Sequence, residues 1–202
     1  KANERSPDTL STLTAWDLQE TFPAARRSLA AFYAGLYMLD LVYQSVRDSD
    51  PHPGLFDGLL RALRHLESPG DEAMGVAWFQ WMALRECGFT PELDRDVMTQ
   101  APLVKAPIYA FSAARGGFTS DGFAGRDGAG GDFSHPGALW RVRAGTIEFL
   151  RGLDRSPGVP DRATTPPSEI AGSDGRQADL SRANRFLAMY FRSVLGQIGR
   201  AS

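Results

Sequence analysis

The chain has 202 residues, 43% of them hydrophobic and 23% charged, which describes an ordinary soluble globular protein of one or two domains with enough apolar material for a core. A formal net charge of -2 excludes global attraction to nucleic acid or an anionic membrane, so any such binding needs a local patch. The one cysteine, Cys87, excludes an internal disulfide and fits a reducing compartment.

Residues 1–13 are polar, include Pro7 and show no helical period, so they read as an extended lead-in and not as a secretory leader. The opening Lys in place of Met makes them the expected approach from an earlier part of a longer chain. Thr14 suits the cap of a short helix, AWDLQETF, that stops before Pro23. Pro23 then suits the start of one long helix over residues 22–48, the predicted centre of the fold. Leu29, Phe32, Tyr33, Leu36, Leu39 and Tyr43 recur at steps of three and four, which predicts a large apolar face turned to the core. Gly35 among them predicts close approach of another helix. The apolar run ends at Asp40, far short of the ~20 residues that cross a bilayer.

A turn, SDPHPG, leads to a third helix opened by Pro53, with Leu55, Phe56, Leu59, Leu60, Leu63 and Leu66 as its stripe. A fourth helix is predicted over residues 71–87, clustering Met74, Trp78, Trp81 and Met82, with Gly88 as its stop. From Thr90 to Asp132 prolines and glycines dominate, and two short strands around Tyr109–Phe111 and Phe118–Ser120 predict a small hairpin. Helix returns over residues 137–153. Residues 156–174, with four prolines, read as a linker, and a last helix is predicted over residues 178–198.

Few residues signal chemistry. His52, His65 and His135 lack the paired spacing of a zinc site and read as surface or turn histidines. The stretch DGFAGRDGAGGD, with Asp121, Asp127 and Asp132, reads as a flexible loop, since it lacks the Lys-Ser/Thr ending of a phosphate loop and the closing Glu of a calcium loop. No Gly-x-Ser-x-Gly elbow occurs. Asp40 reads as a partly exposed carboxylate paired with an arginine. In the last helix, Ala183, Leu187, Tyr190, Val194 and Ile198 fall on one side at 100° per residue, and Arg182, Arg185 and Arg192 on the other, with Arg200 just beyond. No acid follows Asp179, which predicts a cationic stripe for phosphates or an acidic tail. The alternative is a solvated helix back whose arginines pair with acids elsewhere in the fold.

The ordered phrases AFYAGLYMLDLV, DPHPGLFDGLLRAL, FQWMALRECGFTPELDRD, YAFSAARGGFTSDG and RFLAMYFRSVLG resemble the helical C-terminal region of the RecO family of bacterial recombination mediators. The resemblance implies a mainly α fold: a helical domain over residues 21–202, after a lead-in (1–20) from an OB-fold domain that would precede residue 1. A small zinc-ribbon-like insertion, carrying the β-hairpin, would occupy residues 90–136. It implies a cytoplasmic protein without catalytic turnover or cofactor, which binds single-stranded DNA, RecR and the acidic tail of the single-stranded DNA-binding protein, promotes strand annealing and helps load RecA. Many members carry two Cys-x-x-Cys pairs where this chain reads Asp96-Val97-Met98-Thr99 and Ser120-Asp121-Gly122-Phe123. Asp96, Thr99 and Ser120 supply no thiolate, so the insertion is expected to lack zinc and to hold by packing of Ile108, Tyr109, Phe111 and Phe118. Two other readings compete: a helical protein-interaction adaptor, and a metal-dependent hydrolase built on the Gly/Asp-rich loop.

Overall fold

The structure is a computed structural model and describes residues 2–3, 12–46, 50–120, 139–160 and 173–198. It is mainly helical, with a small antiparallel sheet, as the sequence predicts. After a two-stranded pairing of β1 (Ala2–Asn3) with β2 (Thr12–Leu13), the helices are α1 (Ala24–Arg27), α2 (Leu29–Ser45), α3 (Pro53–His65), α4 (Glu72–Glu86), α5 (Ala144–Arg155) and α6 (Ser173–Ile198). The second sheet is β3 (Ile108–Ser112), β4 (Gly117–Thr119) and β5 (Leu139–Arg143), in the order β4-β3-β5.

The core is built around α4. Met74, Trp78, Phe79, Trp81, Met82 and Leu84 are all buried, so this helix is apolar almost all round and is enclosed by its neighbours. It ends as Gly88 predicts. With φ of +77° at Gly88, the Phe89 N–H reaches the Leu84 carbonyl at 2.8 Å and the Gly88 N–H reaches Arg85 at 3.0 Å, closing a Schellman cap.

Four expectations are corrected. The predicted helix over residues 14–21 does not form: residues 14–20 have no regular structure and residues 14–19 are exposed, so no apolar contact offsets the ordering of a short helix. The segment is tied down at its end, where Glu20 takes the Arg64 guanidinium, its carboxyl held below the usual range by that hydrogen bond. The long helix is broken at Ser28, which is extended (φ -123°, ψ 120°) and accepts the Ala31 N–H at 3.3 Å as the cap of α2. Residues 139–143 are strand, not helix, because Trp140 and Val142 are buried while Arg141 and Arg143 are exposed, an alternation of period two. α6 starts at Ser173, five residues before its predicted start, and residues 161–172 of the predicted linker lie outside the described residues.

The fourth correction concerns α2 and is the largest. Its buried face is the small one, Ala31, Ala34, Gly35, Met38 and Leu41, and the bulky set expected to face the core points away from it. α4 and α3 already fill the interior with large side chains, so α2 fits only by presenting small ones. At Gly35 an added methyl would sit 3.5 Å from Leu63 and 3.8 Å from Leu66, so this backbone lies directly on α3. The close approach predicted for Gly35 therefore holds, on the face opposite to the expected one.

The sheet is covered on both sides. Tyr109 opposite Val142, and Phe111 opposite both Trp140 and Phe118, form the inner face. On the other face, Ala110, Ser112 and Thr119 are buried. Loop 90–103 is laced to this sheet by Glu92 N–H to the Gly116 carbonyl at 2.8 Å and Val97 N–H to the Phe118 carbonyl at 2.9 Å. Arg151 of α5 clamps the loop from outside, donating to Asp94 at 3.0 Å and to the Leu93 carbonyl at 2.7 Å.

Candidate functional site

The last helix is positioned by aromatic packing. Phe186 and Tyr190 meet Phe111 edge to face, with centroids 4.8 and 5.0 Å apart, and Phe186 also lies against Phe118 and Trp140. Burial raises the Tyr190 phenol to about 12. With this side of α6 locked to the sheet, another face borders α2 and α4 across a groove of about 530 Å³. Its walls are largely apolar, from Ala34, Tyr37, Val76, Leu180 and Ala188, and Arg185 also lines it.

A hydrogen-bonded chain crosses the groove from α2 to α6. The Tyr37 hydroxyl donates to Gln80 Oε1 at 3.1 Å, Gln80 Nε2 donates to Asn184 Oδ1 at 2.9 Å, and Asn184 Nδ2 donates to the Ala73 carbonyl at 2.9 Å. Gln80 is 1% exposed and satisfied at both ends, so the chain fixes the spacing of three helices without leaving a polar atom orphaned. Burial raises the Tyr37 phenol; the positive charge of Arg192 lowers it and that of Asp40 raises it, so Arg192 sits within electrostatic reach of the groove. Sequence reasoning missed Tyr37, Gln80 and Asn184. The available signal was Gln80, the only hydrogen-bonding side chain in the run AMGVAWFQWMAL.

The predicted arginine stripe divides. Arg182 is not free: its guanidinium donates to Asp179 at 2.7 Å, one turn back on the same helix. The expectation that the stripe lacks a local carboxylate fails there, since Asp179 itself supplies one. Arg185 and Arg192 are exposed and, among the described residues, form no ion pair. They lie seven residues apart, two turns along one face. Arg200 lies outside the described residues, as do Asp121, Asp127, Asp132 and His135. Asp40 is exposed and accepts from Gln44 at 2.5 Å, not from an arginine.

The structure brings Asp96, Thr99 and Ser120 together. Asp96 is 2% exposed; its Oδ1 accepts the N–H groups of Met98 and Thr99 at 2.8 and 3.2 Å. Its Oδ2 accepts from Thr119 Oγ1 at 2.8 Å and from the Ser120 N–H and hydroxyl at 3.0 and 3.3 Å. Burial alone would raise this carboxyl, but the donors from Ser120, Met98, Thr119 and Thr99 outweigh it and hold the group at about 2. The insertion is thus pinned by a carboxylate as well as by the expected packing, in which Tyr109, Phe111 and Phe118 are buried and Ile108 is half-buried.

Comparison with known proteins agrees with this architecture. Residues 26–156 match the family described as Recombination protein O C terminal. A protein of Anaeromyxobacter dehalogenans named DNA repair protein RecO is 29% identical over 180 residues, covering 88% of this chain and 66% of that protein. Proteins of the same name from Rhodopirellula baltica and Syntrophus aciditrophicus are 35% identical over 92 residues and 30% over 116, covering 46% and 57% of this chain and 34% and 44% of theirs. The chain therefore spans just under two thirds of the length of its Anaeromyxobacter relative. With more than half of its residues inside the family match, this chain belongs to the RecO C-terminal family.

Proposed function

We propose that this chain serves DNA repair as the helical part of a RecO-type mediator, acting in the cytoplasm by binding and without catalytic turnover. Its partners on this reading are single-stranded DNA, RecR and the single-stranded DNA-binding protein, with RecA loading and strand annealing as the outcome. The observation that carries the reading here is the apolar groove between α2, α4 and α6 with Arg185 on its wall and Arg192 near it. An apolar wall does nothing for a sugar-phosphate backbone, but it takes apolar side chains while the arginines take carboxylates. Two unpaired arginines also supply little of the charge that strong phosphate binding uses, at about 0.7 of log–log salt slope for each single-strand contact. The groove is therefore assigned to the acidic tail of the single-stranded DNA-binding protein.

A fluorescent peptide of several acidic residues ending in apolar ones tests the assignment by anisotropy. Arg185→Ala with Arg192→Ala should weaken binding by at least tenfold, as loss of a charge-assisted hydrogen bond costs about 1.5–3 kcal/mol. Arg182→Ala, whose guanidinium is already engaged by Asp179, should change it little. Equal affinity for all three proteins would remove the groove from the proposal.

A further inference from the structure

α2 carries an outward ridge that the rest of the fold leaves uncovered. Leu29, Phe32, Leu36, Leu39 and Tyr43 follow one another at steps of three, four, three and four, and Tyr33 adjoins them; all six are exposed, from 43% at Phe32 to 84% at Tyr43. A strict alternation of three and four is the a/d seam of a coiled coil, with a period of 3.5 residues, and it suits pairing with another helix. The buried face of the same helix does not share it, running through Ala31, Ala34, Gly35, Met38 and Leu41.

We propose that this ridge pairs α2 with α2 of a second copy of the chain, antiparallel across a two-fold axis. The register that uses every seam residue sets Leu36 against Leu39 of the second copy, Phe32 against its Tyr43 and Leu29 against its Val46. That arrangement opposes the helix dipoles. It also sets Tyr33 on the flank beside Asp40 of the second copy, a hydroxyl donor beside an acceptor. Charged flanks are what direct a coiled-coil helix to an unlike partner, and here Asp40 is the only charge in or beside the seam. With about 150–250 Å² for each large side chain, the exposed fractions amount to roughly 600 Å² of apolar surface per copy. A standard interface buries about 800 Å² per partner, so the expected dimer is one of modest, micromolar affinity. The groove lies on the other side of α2, lined by Ala34 and Tyr37, and stays open.

Sedimentation equilibrium of the chain from about 1 to 100 μM, a range that brackets a micromolar dissociation constant, should show a monomer–dimer equilibrium. Leu36→Glu should weaken it at least tenfold while leaving the helical circular dichroism unchanged, since Leu36 is half exposed and supports no core contact. In a Cys87→Ser background, Leu36→Cys with Leu39→Cys should form a disulfide-linked dimer. A wild-type chain that stays monomeric throughout, or a Leu36→Glu chain that dimerises as before, overturns the proposal. The monomeric outcome would assign the ridge to an unlike partner or to another part of a longer chain.

Discussion

At the scale of single residues, Asp96 shows how an anion organises a loop. Its two oxygens gather donors from residues 98–99 and 119–120, drawing two distant segments onto one buried carboxylate. Asp96→Asn cannot reproduce this, since either orientation of the amide turns an NH2 toward N–H or O–H donors. The expected loss is about 2–3 kcal/mol, the cost of unsatisfied buried polar groups, measured by urea denaturation. The folded value of about 2 lies below the ordinary carboxylate value, so the stabilisation is complete above about pH 4 and disappears as pH falls through 2. Wild type and Asp96→Asn should therefore converge in stability over that window. EDTA should leave the wild-type transition unchanged; a lower midpoint after chelation would mean that a metal, not the carboxylate, holds the loop.

At the scale of elements, two glycines of α5 make opposite predictions. A methyl at Gly145 would lie 2.7 Å from both oxygens of Asp179, which is buried against the start of α5 while holding Arg182, so Gly145→Ala forces α5 and α6 apart. It should destabilise by about 1–3 kcal/mol despite the better helix propensity of alanine. A methyl at Gly152 meets nothing within 4 Å, so Gly152→Ala should stabilise by up to about 1 kcal/mol. Urea midpoints moving the same way would refute the packing of α5 on α6. The sequence made the existence of α3, α4 and α6 legible because their apolar periods, caps and stops agree, as Pro53 and Gly88 illustrate. It did not reveal which side of α2 is buried, since periodicity identifies a face but not whether the interior has room for large side chains. Trp140-Arg141-Val142-Arg143 does alternate in sequence, yet four residues joined to a helix pattern read as its first turn. Arg185 and Arg192 were legible as charges, whereas their relation to a groove depends on α2 and α4, more than a hundred residues away.

At the scale of the whole molecule, the helical layer and the sheet are joined by one aromatic cluster of Phe111, Phe118, Trp140, Phe186 and Tyr190. All five are buried, and Phe186 touches the other four, so it is the ring whose removal loosens the joint most. Phe186→Ala should cost about 3–5 kcal/mol, as large-to-small core changes do. Tyr190 reports whether that loss is local. Its phenol is raised to about 12 because burial disfavours the phenolate, and a raised value stabilises the fold up to the unfolded tyrosine value near 10 and loses that contribution as pH climbs toward 12. Opening the cluster readmits water and lowers the phenol. Ultraviolet titration, taken as the difference between each protein and its Tyr190→Phe counterpart, should place Tyr190 nearer 10 in the Phe186→Ala background. Because the same helix carries Arg185, peptide binding at the groove should weaken in parallel although Phe186 does not line it. Unchanged Tyr190 titration with a fully folded Phe186→Ala protein would mean that the sheet and the helices hold together by other contacts, and that α6 does not depend on the sheet for its position.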